Sequence, residues 1–338
     1  MNKEKIYNNA LTGYSPTDWF AGGNSPIDRK VLLENGNWKV NAIPNEIQVV
    51  NYGESNTYDT SMCVSYGITD ALEYNLMEML RQSLIPAETA KWLKDKGYFE
   101  NGAINFSERF IAIKGETKNN GAYMYKVANA VKNFGLIPQK MFPMADNFND
   151  NIDPKFITQE MEDLGKEFLT HLAINYEWVN DFDSKEYLKY SALPCIGQFA
   201  NYDKPDDILN PPTKNGHLMT EVFETDEYKE IDDSYWQQFK KYKKDKLQSF
   251  MAFYLTPLKI TMDTQKWIKD NDKKWVQISA GQGAGQFGRV LQGKLMMFVS
   301  SDRGTLALLD DKMRTEPSVK IISSELEQLQ KDNLVVNF

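Results

Sequence analysis

The 338-residue sequence predicts an α+β protein in two halves, with helices first and strands later. Three observations carry that expectation. Apolar residues recur at helical spacing through residues 63–83, and again over 121–134 and about 158–170. From residue 192 onward the apolar period shortens to that of strands, over 192–199, 217–225, 228–232 and 247–255. Helices and strands are segregated along the chain, not alternating, which argues for an α+β arrangement over a parallel βαβ sheet. At roughly 150 residues per domain, the length fits two domains, or one large domain with an appendage.

The elements follow in order. Residues 1–43 read as an irregular leader: Gly13, Pro16, Gly22, Gly23, Pro26 and Gly36 exclude long helices. Its Trp19, Phe20, Val31, Leu32, Leu33 and Trp38 require burial, so the leader is expected to pack on the body as an extended strap and to stay attached. Residues 63–83 form the strongest helical pattern, with Asp59, Thr60 or Ser61 available as N-cap and Pro86 as a stop. The 121–134 pattern is closed by Gly135 and Pro138. Residues 203–216 make a polar loop rich in Pro, Asp and Asn, and the Lys-rich run 240–246 reads as a solvated surface turn. Residues 259–338 are expected to form a separate small β-rich appendage. Its Gly-rich stretch 279–288 lacks the Lys-Ser/Thr of a phosphate loop and reads as a hairpin, and a charged helix is expected near 323–332.

Composition removes several function classes. A net charge of −8 argues against nucleic acid as a partner, because phosphate neutralisation needs an excess of Lys and Arg. The apolar run at 295–299 is far shorter than the ~20 residues that cross a bilayer, so no membrane span is expected. The first 16 residues hold no apolar h-region, which predicts no secretory signal and a cytoplasmic location. Two cysteines do not make a disulfide framework and suit a reducing compartment. Two histidines do not make a Cys/His zinc cluster, and no metal or organic cofactor is implied.

Cys63 stands at the first turn of the strongest helix, where unpaired N–H groups and the helix dipole stabilise a thiolate. Most single cysteines are small buried hydrophobes, and Cys195, in the apolar run 192–199, fits that description. A thiolate nucleophile needs an imidazole and a group to orient it. His217, 154 residues after Cys63, begins a strand and supplies the imidazole; Asp233, sixteen residues further, returns beside it on the next strand. The plainer readings are a satisfied loop histidine and an acidic turn at Asp232-Asp233. His171, at a helix end, reads as structural.

The order Cys, His, acid resembles the papain-like cysteine peptidases, in which His follows the helix-borne Cys by about 130–150 residues. Further matches in order are Pro44-Asn45-Glu46-Ile47-Gln48, where the family has its oxyanion Gln, and Phe106-Ser107-Glu108-Arg109-Phe110. Asn120-Gly121-Ala122-Tyr123 stands at the family's substrate-binding segment, followed by Gly135-Leu136-Ile137 and Phe142-Pro143. The resemblance covers about 44–258. It implies a two-lobed papain-like fold with hydrolysis of peptide or isopeptide bonds in a peptide or protein substrate. Cys63 would be the nucleophile, His217 the acid–base and Asp233 the orienting group, held against the imidazole Nδ1–H. Gln48 and the Cys63 N–H would bind the oxyanion, while Gly121 and Ala122 would hold the substrate backbone. The departures are a 15-residue Gln-to-Cys interval that requires an inserted loop at 49–61, with Asn56 as the fallback donor; the absence of the family's Cys-Gly-Ser-Cys; Val64 after the nucleophile; and Asp233-Ser234-Tyr235 in place of Asn-Ser-Trp. Tyr58-Asp59-Thr60 before the Cys, together with the appendage, is similar to divergent papain-like proteins of bacteriophage genomes. That similarity implies host cytoplasm or virion as the location, with virion or assembly proteins as partners of the appendage through Trp275, Phe287 and Phe298. Two alternatives stay open: a peptidoglycan amidase or endopeptidase, and a catalytically weak or inactive scaffold.

Overall fold

The computed structural model describes residues 10–11, 13–15, 18–21, 25–41, 43–44, 49–52, 56–198, 216–234 and 239–258, and the strand residues 275–279, 286–291, 294–300, 306–308 and 335–337. The chain divides into two units, Met1–Lys259 and Ile260–Phe338. The first carries β1 (Ala10–Leu11), β2 (Val49–Tyr52), β3 (Asn56–Asp59), α1 (Cys63–Arg81), α2 (Ala87–Lys96), β4 (Phe99–Glu100), β5 (Ala103–Ile104) and α3 (Glu108–Lys114). It continues with β6 (Ala122–Tyr123), α4 (Met124–Phe134), α5 (Phe148–Ile152), α6 (Gln159–His171), β7 (Leu172–Val179), α7 (Ser184–Tyr187) and β8 (Leu193–Gln198). β9 (Gly216–Glu224), β10 (Tyr228–Asp232), β11 (Lys240–Lys243), β12 (Leu247–Gln248) and β13 (Phe250–Pro257) complete it. Strands β11-β10-β9-β8-β12 form an antiparallel sheet, and β7 pairs antiparallel with β13 along its whole length.

α1 is buried on all sides and serves two cores. Val64, Ile68, Leu72 and Leu76 pack with α2, α3, α4, α6 and the β7–β13 pair, whereas Ala71 and Tyr74 pack with residues of β8–β11 and Trp38. Each fully buried aliphatic side chain contributes roughly 1.5–3 kcal/mol of transfer free energy, so this helix anchors the unit. Two of its buried polar side chains bind neighbouring elements. Asn75 Nδ2 donates to Ser191 Oγ and Phe253 O, and Glu73 Oε1 accepts from Phe106 N. Gly67 lets β9 approach closely: a Cβ there would lie 2.2 Å from Leu218 Cδ2. No helix among the described residues is long and apolar enough to cross a membrane.

Several expectations change. Asp59, Thr60 and Ser61 do not cap α1: its N-cap is Met62 without a side-chain hydrogen bond, and Ser61, at φ 54°, sends Oγ to Asn119 O. The helix expected from residue 121 begins at Met124, because Ala122 and Tyr123 are extended and pair with β1. Strand β7 was hidden in the sequence by Glu177, a fully buried carboxylate that Arg29 and Tyr254 neutralise and hydrogen-bond. The short helices α2, α3, α5 and α7 are additions too. The Lys-rich run is not a turn: Lys240 and Tyr242 of β11 point inward and Lys241 and Lys243 outward against β10. Of the polar loop, residues 203–215 lie outside the described residues.

The leader runs extended against β7. Trp178 N donates to Trp19 O at 2.9 Å and Ala21 N to Trp178 O at 2.8 Å. Asp18 accepts from Tyr176 Oη and Trp178 Nε1, both at 2.7 Å, and Arg29 grips Glu177 with two bonds of 2.6 and 2.7 Å.

In the second unit, β14 (Trp275–Ser279), β15 (Gln286–Leu291), β16 (Lys294–Ser300), β17 (Leu306–Leu308) and β18 (Val335–Asn337) form a sheet in the order β17-β16-β15-β14-β18. β14 and β15 are an antiparallel pair joined through the Gly-rich stretch. The helix expected near 323–332 lies outside the described residues.

Candidate active site

Three elements converge on one point. α1 presents Cys63 as its first residue, β9 carries His217 as its second, and Asp233 follows the last residue of β10. His217 Nε2 lies 2.8 Å from Asp233 Oδ1, and the Cys63 side chain hydrogen-bonds the same imidazole. With Nε2 engaged by Asp233, Nδ1 is the nitrogen left for sulfur. The tautomer logic expected from sequence is therefore reversed between the two ring nitrogens, although the order sulfur, imidazole, carboxylate is kept.

The electrostatics follow from burial and pairing. Burial alone pulls the pKa of His217 down. The charge and hydrogen bond of Asp233, with the hydrogen bond of Cys63, outweigh it and raise the pKa to about 10. His217 thus carries its proton at neutral pH. The N-cap of α1, Met62, gives no side-chain cap, and its carbonyl accepts from Ser65 N and Tyr66 N. Cys63, His217 and Asp233 are 0, 2 and 1% exposed.

The other site residues from the sequence fare differently. Gln48 lies outside the described residues, as does the side chain of Asn56. The inserted loop before Cys63 forms the β2–β3 hairpin, with Val49 opposite Asp59. Gly121 exchanges both backbone hydrogen bonds with Lys118, and Ala122 is paired in parallel with Ala10 of β1, so this edge is already occupied by the chain itself. Cys195 is fully buried in β8, where desolvation pushes its thiol pKa up. His171 ends α6, stacked on Trp92 at 4.2 Å between centroids.

Sequence reasoning missed two residues beside the site. Tyr74 reads there as one apolar position of the α1 pattern, and Asp232 as an interchangeable neighbour of Asp233. In the structure Tyr74 Oη donates to Asp232 Oδ2 at 2.7 Å.

No protein-family model matches the chain, and no curated protein matches it in sequence. Among solved structures it is similar to the Carica candamarcensis cysteine protease CMS1MS2, determined in complex with E-64. The identity is 12%, the match covers 65% of this chain and 97% of that one, and the TM-score is 0.40. The function of this chain therefore has to be read from its own side chains.

Proposed function

We propose that the chain is a papain-like cysteine peptidase that hydrolyses peptide or isopeptide bonds by thiol-dependent acyl transfer. The observation that supports it is the connected series Asp233–His217–Cys63 at an uncapped helix N-terminus. The Cys63 thiolate adds to the substrate carbonyl, and the oxyanion is met by the Cys63 N–H, with Gln48 assigned as second donor. The intermediate collapses to a thioester while His217 gives its proton to the departing amine. Water then attacks the thioester, His217 accepts its proton, and the carboxylic acid leaves with the thiolate restored. Asp233 holds the ring and stabilises the imidazolium throughout. Peptidoglycan cross-links are amides open to the same chemistry.

The test compares wild type with Cys63→Ala on a peptide library and measures thiol labelling by mass spectrometry. Cleavage that depends on Cys63, and labelling of Cys63 at pH 7 faster than Cys195, is the expected result. A second reading, a scaffold without turnover, is favoured by the full burial of Cys63 and by β1 on the β6 edge. Equal labelling of the two cysteines with no cleavage selects it.

A further inference from the structure

Asp233 lies one residue beyond the ladder: the last paired residue of β10 is Asp232, opposite Thr220 of β9. The carboxylate that must hold His217 is therefore not itself fixed by sheet hydrogen bonds. Two side-chain bonds reach from this corner to the helix that bears Cys63. Thr220 Oγ1 donates to Gly67 O at 2.9 Å, and Tyr74 Oη donates to Asp232 Oδ2 at 2.7 Å. Tyr74 sits three turns along α1 from Cys63, and side chains on a helix lean toward its N-terminus, which carries the phenol back toward the site. The second bond ties α1 to the residue just before Asp233.

We propose that the Tyr74–Asp232 hydrogen bond is a positioning device that sets Asp233 on His217 and, through it, the imidazole on Cys63. The inference rests on the acyl-transfer reading of the site. A buried tyrosine needs some acceptor, and a main-chain carbonyl suffices elsewhere, as for Tyr98 Oη on Leu136 O at 2.7 Å. Here the acceptor is a carboxylate adjoining a second carboxylate. The groups around the pair include Asp70 and Glu73 from α1, Thr220 from β9 and Asp233 from its own segment, and the phenol is a donor from α1, beside the Asp233 N–H, that offsets repulsion at this corner. Desolvation and the charge of Asp233 raise the pKa of Asp232 to about 6, against the lowering hydrogen bonds from Tyr74 and the Asp233 backbone. Without the phenol, Asp232 loses its hydrogen bond to α1, and its repulsion of Asp233 shifts that carboxylate on the imidazole.

The chain holds only two histidines, His171 and His217, so imidazole NMR reads His217 directly. Tyr74→Phe keeps the ring and removes the hydroxyl; Asp232→Asn keeps an acceptor for Tyr74 and removes the charge. The expected result is a His217 pKa lowered by about one pH unit or more in Tyr74→Phe, the size of a weakened charge pair, and a wild-type value in Asp232→Asn. Cys63 alkylation by iodoacetamide at pH 7 should fall about tenfold in Tyr74→Phe alone, since small misplacements of reacting groups cost rate steeply. A folded Tyr74→Phe protein with an unchanged His217 titration and only a lower melting temperature overturns the proposal and leaves the bond purely structural. Equal alkylation of Cys63 and Cys195 in wild type overturns the catalytic reading instead, and the titration still decides the positioning role. If Tyr74→Phe does not fold, Asp232→Ala, which strands the phenol, reads the same titration.

Discussion

His217 Nε2 and Asp233 Oδ1 stand 2.8 Å apart, both fully buried, with the Cys63 side chain on the other side of the ring. A buried carboxylate this close makes the imidazolium the resting form, so the ring holds its proton at neutral pH. The arrangement also ties the site to stability, because the same proton is bound more tightly folded than unfolded.

Replacing Asp233 by Asn removes that link. In the wild type the protonated His217 has its pKa raised from 6.5 to about 10, so its contribution to stability is complete below about pH 6.5 and is lost as the pH rises toward 10. Asp233→Asn should flatten this dependence. Thermal melts at pH 6, 8 and 10 check it: a wild-type melting temperature falling over that range no faster than the variant's contradicts the assignment.

Removing residues 1–12 should uncover the β6 edge. Ala10 and Leu11 occupy positions opposite Ala122 and Tyr123, and β1 also lies near β9, the strand that carries His217. With a net value of about 1 kcal/mol for each backbone hydrogen bond, displacement of β1 hinders access roughly tenfold. Labelling of Cys63 should therefore accelerate by about that factor in the truncated chain. An unchanged rate means that β1 does not limit access.

Arg29→Ala should be among the most destabilising changes in the leader. It leaves Glu177, with a side chain 0% exposed, with the phenol of Tyr254 and no counter-charge. Stranding a buried carboxylate costs on the order of 3 kcal/mol, measurable by urea denaturation. A loss below about 1 kcal/mol, the level of a surface pair, would show that this strap is not anchored by the ion pair. The intact strap also predicts that prolonged incubation leaves the chain uncut near residues 41–47, read by mass spectrometry.

Gly67→Ala should damage stability and site together. The added Cβ would meet Leu218 Cδ2 at 2.2 Å and Thr220 Oγ1 at 3.4 Å, between α1 and the strand that carries His217. Overpacking of this kind costs about 1–3 kcal/mol. Cys63 alkylation should slow as β9 is pushed from the helix, whereas Gly102→Ala, with nothing within 4 Å of its Cβ position but φ +88°, should cost stability through backbone strain and leave the alkylation rate unchanged.

Much of this was legible in the chain. The α1 pattern, the strands from 193 onward, the hairpin in the second unit and the cysteine, histidine and acid at the site are local features with strong periodic or positional signals. β7 was not, since Glu177 interrupts its apolar alternation and is tolerable only because Arg29 arrives from 148 residues away. β11 was not either, because a Lys-rich run gives no strand signal, and Tyr242 becomes interior only in the core it shares with Trp38, Ala71 and Tyr74. The expected substrate edge at Gly121 and Ala122 failed as an open surface for a similar reason: no local pattern reveals that a two-residue strand from the leader pairs there.

The sequence alone determined which residue types meet, a thiol at a helix start, one strand-borne imidazole and an acid after the next strand, because each is set by local periodicity and turn position. The sequence names Asp233; the physical reason that it, and not Asp232, meets the imidazole lies in the tertiary structure. In β9–β10 the register shifts between Glu230 and Ile231: Lys229 and Glu230 stand opposite Glu224 and Phe223, but Ile231 and Asp232 stand opposite Glu221 and Thr220. Opposed residues on paired strands share a face, so a one-residue shift exchanges the faces of everything beyond it. Without the bulge, Asp233 would align with Thr220 toward α1 and Asp232 would fall on the side of His217. With it, Asp232 goes to Tyr74 and Asp233 to the imidazole, an outcome set by one extra residue in a ladder and by the packing of that ladder on α1.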